Sequence, residues 1–359
     1  MARTSPPDPA RQVVVGVDTH KYLHVAVAVD QRGARLGELS IKADSKGYQE
    51  LHDWAQSHGR VRAYGVEGTG SYGVGLAKFL RRAGVRVLEV NRADRRSRHQ
   101  HGKSDPLDAE SAARSVLNGT ATNVPKSAEG ICEMIRQVKV ARDGARKARS
   151  AALVALKSIV VNAPSELRES LAGLTTTALV LRCSNYRPGD VDSVHASTKY
   201  TLRALARRWI ALNEEIVEHS GQLDRLTEHA APTLREGFGI GPDTAAEMLV
   251  VFGDNPERVR SEAAFAKLCG VCPIPASSGL TNKHRLYRGG HRQANAALYR
   301  ATVVRMQYHE PTIAYVIRRT QEGLTKKDII RCLKRHLVRE IYQRVMVDHR
   351  ARMSLSEVV

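Results

Sequence analysis

Along the first ninety residues the apolar positions come in short runs bounded by polar turns, which is the spacing of strands. "VVVGVDTHKYLHVAVAVD" over residues 13–30 reads as two strands joined by a polar turn, and "GARLGELSIKA" supplies a third, so the chain opens with an antiparallel meander. "SKGYQELHDWAQSHG" changes to helical spacing, with Leu51 and Trp54 on one face. "VRAYGVEG" predicts a fourth strand, residues 72–84 a helix, "VRVLEVN" a fifth strand, and the stretch from about 106 a further helix. The predicted order is βββαβαβ, closed by a helix.

From about residue 121 strand signals stop and the chain turns helical and basic, with Arg136, Lys139, Arg142, Arg146, Lys147 and Arg149 along one run. "NYRPGDVD" at 185–192 breaks it. Beyond, Leu202, Leu205, Trp209, Leu212, Ile216, His219, Leu223 and Leu226 recur at spacings of three and four, a heptad seam interrupted by His219. This predicts a coiled-coil or helical-hairpin arm, with one long helix packing inside its own monomer as the alternative. "LREGFGIGPDTAAEMLVVFGD" at 234–254 has the pattern of a helix-hairpin-helix, with Gly239 and Gly241 at a tight turn and Pro242 opening an apolar helix. Such a turn can offer free N–H groups to a phosphate; packing alone explains it as well. The expected organisation is a tail at 1–12, an α/β domain at 13–120, a helical or coiled-coil arm at 121–230, a mainly helical C-terminal domain at 231–345 and a tail at 346–359.

Charge changes the picture. The 359 residues carry 56 Lys+Arg against 37 Asp+Glu, a net charge of +19. A polyanion, nucleic acid first, becomes the expected partner, with a basic enzyme bearing a solvated surface as the alternative. Residues 281–350 alone hold 16 Lys+Arg and 5 Asp+Glu. No run of 18 apolar residues exists, and the opening "MARTSPPDPARQ" lacks the apolar stretch of a signal peptide, so a cytoplasmic protein is expected. Its five cysteines are odd in number and scattered, which fits reduced thiols. "CGVC" at 269–272 has no second pair at zinc-ribbon spacing and reads as core packing.

Two chemistries compete at "GVEGTGSYGVGLAKFL". Gly68, Gly70 and Gly73 have the G-x-G-x-x-G spacing of a dinucleotide loop, with Glu89 where a ribose ligand would stand. Such a fold opens βαβ and carries its glycines after the first strand, however, and here they follow the fourth. A three-strand meander is the opening of a ribonuclease-H-like fold, in which carboxylates on the first strand, at the end of the fourth and on the final helix converge. Asp18 in "GVDTH", Glu67 in "GVEGTG", and Asp105 and Asp108 in "KSDPLDAESAA" fit those places. Asp105 and Asp108, three apart, share a helix face, and Asp105 also suits an ordinary N-cap before Pro106. Four carboxylates held close need a cation, and hard oxygen donors suit Mg²⁺ or Mn²⁺, two of which can drive phosphodiester displacement.

In this order the motifs "VDTHKYLHVAVAV", "GVEGTGSYG", "HGKSDPLDAESAA", "LCGVCPIPASSG" and "RGGHRQANAAL" resemble the DEDD transposases of bacterial insertion sequences, the family one-ten, over about residues 13–310. The resemblance implies a RuvC-like catalytic domain with Asp18, Glu67, Asp105 and Asp108 as its metal-binding set. It also implies an essential serine in a C-terminal transposase domain, Ser278 in "PIPASSG", preferred over its neighbour Ser277. By itself a Ser beside a Gly reads as a turn residue. The implied activity is serine-linked exchange of strands between donor and target DNA, guided by a non-coding bridge RNA that pairs with both. Arg92, Arg95, Arg96, Arg98 and Lys103 in "NRADRRSRHQHGK", Arg136, Lys139 and Arg142, and Lys283, Arg285, Arg288 and Arg292 become the expected nucleic-acid contacts, with solvated surface as the alternative. A homo-oligomer, as a dimer or a dimer of dimers, and association with the nucleoid complete the expectation. Three other readings are weighed against it: a RuvC-like junction nuclease using water, an actin-like kinase or ATPase with Asp18-Thr19 at its first strand, and a non-enzymatic nucleic-acid-binding protein.

Overall fold

The computed structural model describes residues 11–90, 104–279 and 284–356. The chain divides into two compact units, one of residues 1–130 with 252–260, the other of 131–251 with 261–359. The expected arm and C-terminal domain therefore fall in one unit.

In the first unit the apolar runs form strands β1 (Gln12–Thr19), β2 (Leu23–Asp30), β3 (Arg35–Lys42), β4 (Arg60–Glu67) and β5 (Val87–Val90). Helices α1 (Ser45–Ser57), α2 (Val74–Arg82) and α3 (Asp105–Leu117) complete the order read from the sequence. The sheet runs β3-β2-β1-β4-β5, with β1–β2 and β2–β3 antiparallel and β1–β4 and β4–β5 parallel. Because side chains alternate along a strand, β1 and β4 each feed two cores. Val13, Val15 and Val17 join Tyr64 and Val66 under α1 and α2, where Leu51, Ala55, Leu76 and Leu80 are buried. Val14 and Ala63 face the other way, onto Ala109, Ala112, Ala113 and Val116 of α3. Burial on both faces is why β1 is a nearly unbroken apolar run. The later segment 252–260 completes this unit: the Asn255 side chain accepts from the Ser127 N–H and donates to the Pro125 carbonyl, each at 3.0 Å.

Among its described residues the second unit is helical apart from a two-stranded antiparallel ribbon, β6 (Pro273–Pro275) and β7 (His284–Leu286). Its helices are α4 (Ile131–Val161), α5 (Ser165–Leu171), α6 (Thr176–Ser184), α7 (Val194–Ala230), α8 (Pro232–Arg235), α9 (Pro242–Phe252), α10 (Glu262–Leu268), α11 (Arg292–Tyr308), α12 (Glu310–Gln321) and α13 (Lys326–Ser356). No helix among the described residues is long and apolar enough to cross a membrane. The second α/β domain that an actin-like kinase requires is likewise not found among them. Ser193 starts α7 by accepting from the Ala196 N–H. The first part of the heptad seam, Leu202, Leu205 and Trp209, packs with Leu153 and Leu156 of α4 and Leu179 and Val180 of α6. That stretch of the seam is spent inside the monomer. Cys269 of "CGVC" is fully buried, and burial pushes its thiol up to about 12.

The expected tail from residue 346 is instead the end of α13. Asp348 is 3% exposed, and its carboxylate accepts from the N–H groups of Thr233 and Leu234 at 3.0 Å, capping α8. A cap supplied from more than a hundred residues away leaves no trace in local periodicity, which is why the segment reads as polar tail. Asp348→Ala leaves one buried and one part-buried donor without acceptors. The expected loss is about 2–4 kcal/mol of stability, read from urea denaturation of the full chain by far-UV circular dichroism.

Candidate functional site

β1 and β4 run parallel in a register that sets Gly16 beside Gly65 and Val17 beside Val66. Both strands then carry an acid, so the sequence repeats the tripeptide Gly-Val-acid on neighbouring strands at matched height. Alternation puts Asp18 and Glu67 on the face covered by α3. The Thr19 hydroxyl donates to the Glu67 carbonyl at 2.8 Å and ties the two strand ends together. Gly68, at φ +67°, turns the chain sharply behind Glu67, and its carbonyl accepts from the Ser71 and Gly73 N–H groups. The glycines of the G-x-G-x-x-G stretch thus sit in a turn that follows the acid-bearing strand end.

What lowers α3 onto this face is missing side chains. A Cβ on Gly16 would lie 1.9 Å from the Ala109 carbonyl oxygen, and one on Gly65 would lie 2.6 Å from Val116 and 2.8 Å from the Ala112 oxygen. The alanines of α3 complete the close fit, and the helix delivers its first turn, with Asp105 and Asp108, to the ends of β1 and β4. Asp105 is the first helical residue and Ser104 the N-cap. Ser104 thus takes the N-cap position that the sequence allows Asp105, without a side-chain hydrogen bond to the helix.

Asp18 and Asp108 are buried, at 8% and 9% exposure, and Asp105 is half-buried. His20 enters the group as well: its Nε2 lies 3.1 Å from Asp18 Oδ2 and 3.4 Å from Asp105 Oδ2. One ligand atom from each of Asp18, His20 and Asp105 lies within 4.8 Å of the other two. Burial holds the Asp18 carboxyl above its ordinary value; His20 pulls it down, and the charges of Asp105 and Asp108 push it further up. A buried acid repelled by two more is a place where a divalent cation is favoured. Asp18, His20 and Asp105 offer a donor set that fits such an ion, with Asp108 near enough to repel Asp18 and Glu67 at the adjoining strand end.

The other expected residues divide. Ser278 is exposed in the connection after β6, beside Gly279 and the likewise exposed Ser277. Arg285 on β7, Arg288 and Arg292 at the start of α11 are exposed too. Beside this ribbon lies a cavity of about 820 Å³ whose lining includes Arg285, Arg319, Asp328, Arg331 and Arg335, an arginine-rich hollow in which Arg319, Arg331 and Arg335 are already paired with Glu322, Asp328 and Glu262. Arg136 is exposed and paired with Glu133 at 2.6 Å. Lys139 and Arg142 do not lie on a solvated face. Arg142 is 4% exposed and bound to Asp243, and Lys139 pairs with Glu247 at 2.8 Å. These pairs join α4 to α9, and a phosphate could reach either cation only by displacing its carboxylate. Arg92, Arg95, Arg96, Arg98, Lys103 and Lys283 lie outside the described residues.

Comparison with known proteins bears on the family. Residues 15–163, which contain all four carboxylates, match a family model of DEDD transposases, and residues 231–316, which contain Ser278, match the model described as "Transposase IS116/IS110/IS902 family". The chain is also similar to the "Insertion element IS116 uncharacterized 44.8 kDa protein" of Streptomyces clavuligerus, 25% identical over 378 residues that cover 91% of this chain and 93% of the relative. The two models match successive stretches of the chain and name the same group of transposases, so the chain belongs to the IS110-family transposases and is a DNA transposase.

Proposed function

We propose that this transposase moves an insertion sequence by cutting and rejoining DNA strands through a serine-linked intermediate, with Asp18, Glu67, Asp105 and Asp108 holding Mg²⁺ or Mn²⁺. The observation that carries this reading is the convergence of Asp18 with Asp105 and Asp108, which lie far apart in sequence, at the ends of β1 and β4. The strand order β3-β2-β1-β4-β5, with its antiparallel meander and two parallel additions, supports a ribonuclease-H-like, RuvC-like scaffold.

The chemistry assigned to the chain is a balanced exchange of esters. The Ser278 Oγ attacks a DNA phosphorus and loses its proton, the bond from phosphorus to the departing DNA oxygen breaks, and that oxygen gains a proton. A phosphoserine ester then holds one strand until a DNA hydroxyl attacks it and releases the serine. The carboxylates position the divalent ions, whose Lewis acidity stabilises charge on the phosphoryl oxygens. Sequence choice falls to a bridge RNA pairing with donor and target DNA, which leaves the protein to recognise backbone and shape. The net charge of +19 and the exposed Arg285, Arg288 and Arg292 suit that task. Assembly as a dimer or dimer of dimers would use the middle of the seam, where Leu212, Ile216 and His219 remain half-buried.

The test is to express the full chain with its flanking DNA and Mg²⁺ and to look, after denaturation, for protein joined to DNA. The expected result is an adduct in the wild type and in Ser277→Ala, and none in Ser278→Ala or Asp105→Ala. Cleavage without an adduct that survives both serine changes would instead mark a hydrolase using water.

A further inference from the structure

We propose that His20 is a direct ligand of the catalytic ion, a nitrogen donor added to the four carboxylates. The inference rests on the metal-dependent reading above and goes beyond it in naming a fifth protein group and an ion preference.

Three observations point to it. The residue stands two positions after Asp18, so it continues the alternation of Val14, Gly16 and Asp18 toward the α3 face as β1 ends. Its backbone is fixed, since its N–H donates to the Leu23 carbonyl at 3.0 Å in the turn before β2. Its Nε2 stands 3.1 Å from Asp18 Oδ2 and 3.4 Å from Asp105 Oδ2. Adjacent donors in an octahedron of radius 2.1 Å lie about 3.0 Å apart and opposite donors about 4.2 Å. These spacings are those of a hydrogen-bonded ion pair and equally of adjacent donors on one ion, and all three donor atoms lie within 4.8 Å of one another. The imidazole is also half open to solvent, at 47% side-chain exposure, so an ion reaches it without opening the fold.

A neutral nitrogen adds a donor without adding negative charge, and imidazole suits Mn²⁺ better than Mg²⁺. The opposing reading gives His20 a different role, as a cationic clamp that holds Asp18 and Asp105 together when no ion is bound and swings away when one arrives.

The experiment uses the full-length protein and Mn²⁺ alone. Electron spin-echo envelope modulation of bound Mn²⁺ reports directly on a coordinated ¹⁴N. The expected result is nitrogen modulation in the wild type that disappears in His20→Gln, with Mn²⁺ affinity falling about tenfold or more in the variant and Mg²⁺ affinity, measured by competition, falling less. Site-bound Mn²⁺ that is lost in Asp18→Asn but shows no nitrogen modulation in the wild type would overturn the proposal. So would modulation that persists in His20→Gln, or a variant that binds Mn²⁺ as tightly as the wild type, which is the signature of the clamp. Absence of any site-bound Mn²⁺ in the wild type would overturn the metal-dependent reading itself, and the inference with it.

Discussion

Gly16→Ala is expected to cost about 3 kcal/mol or more of stability and to abolish strand exchange, although it adds a single methyl group. The new Cβ would lie 1.9 Å from the Ala109 carbonyl oxygen and 2.3 Å from the Ala113 nitrogen, both backbone atoms, so no side chain can rotate to make room. Either β1 bends or α3 lifts from the sheet. Lifting α3 carries Asp105 and Asp108 away from Asp18, and a displacement of about 1 Å at a catalytic group is worth on the order of a hundredfold in rate. Gly70→Ala is the control, since nothing lies within 4 Å of the Cβ it would introduce. It should leave the melting temperature and DNA adduct formation near wild type. The measurements are thermal melts of the full chain followed by far-UV circular dichroism, and the denaturing adduct assay. A Gly16→Ala protein as stable and active as Gly70→Ala would show that α3 is not held by contact at this point.

Asp18→Asn is expected to do the opposite to stability while removing activity. The folded state holds the Asp18 carboxyl above its ordinary value, chiefly through burial, so folding takes up a proton and the group favours the fold only while it is protonated. That contribution is full below the ordinary carboxylate range and is lost as pH rises through the raised value. At neutral pH the ionised Asp18 therefore weighs against the metal-free fold. In EDTA at pH 7 the Asn variant should melt a few degrees higher than the wild type, and the difference should close as pH falls below about 4. Added Mg²⁺ should reverse the order: at a hundred times its dissociation constant a ligand adds about 2.7 kcal/mol to the protein that binds it, and the variant forfeits that gain. Adduct formation should fall on the order of 10³-fold, the size of several kcal/mol of lost charge stabilisation. Equal melting temperatures for the two proteins in EDTA, and equal responses to Mg²⁺, would remove Asp18 from the site.

The sheet was legible because each of its strands is bounded by polar turns and two of them are apolar on both faces. Asp18, Glu67, Asp105 and Asp108 were legible as strand-end and helix-start acids. What sequence reading passed over is the pair Gly16 and Gly65, although the repeated "GVD" and "GVE" display it; a buried glycine announces a close approach without saying what approaches. His20 was hidden because a lone histidine after a strand is ordinary, and only the fold sets it against Asp105. Lys139 and Arg142 read as nucleic-acid contacts, with solvated surface as the alternative, because their acids, Glu247 and Asp243, stand about a hundred residues away. The seam on α7 signalled an apolar partner, and periodicity cannot say that part of this partner is α4 and α6 of the same chain.

The first unit is not contiguous, and this bears on how the protein comes off the ribosome. Asn255 closes the chain around Pro125 and Ser127, yet it is made well over a hundred residues after the last acid of the site. Until it emerges, the Ser127 N–H and the Pro125 carbonyl lack their buried partner, and the unit waits without its last segment. By then the whole of α4 through α8 has already been synthesised. Maturation of the acid-bearing unit is thereby coupled to production of most of the helical one, so a prematurely terminated chain would carry all four acids in a body that has not fully closed.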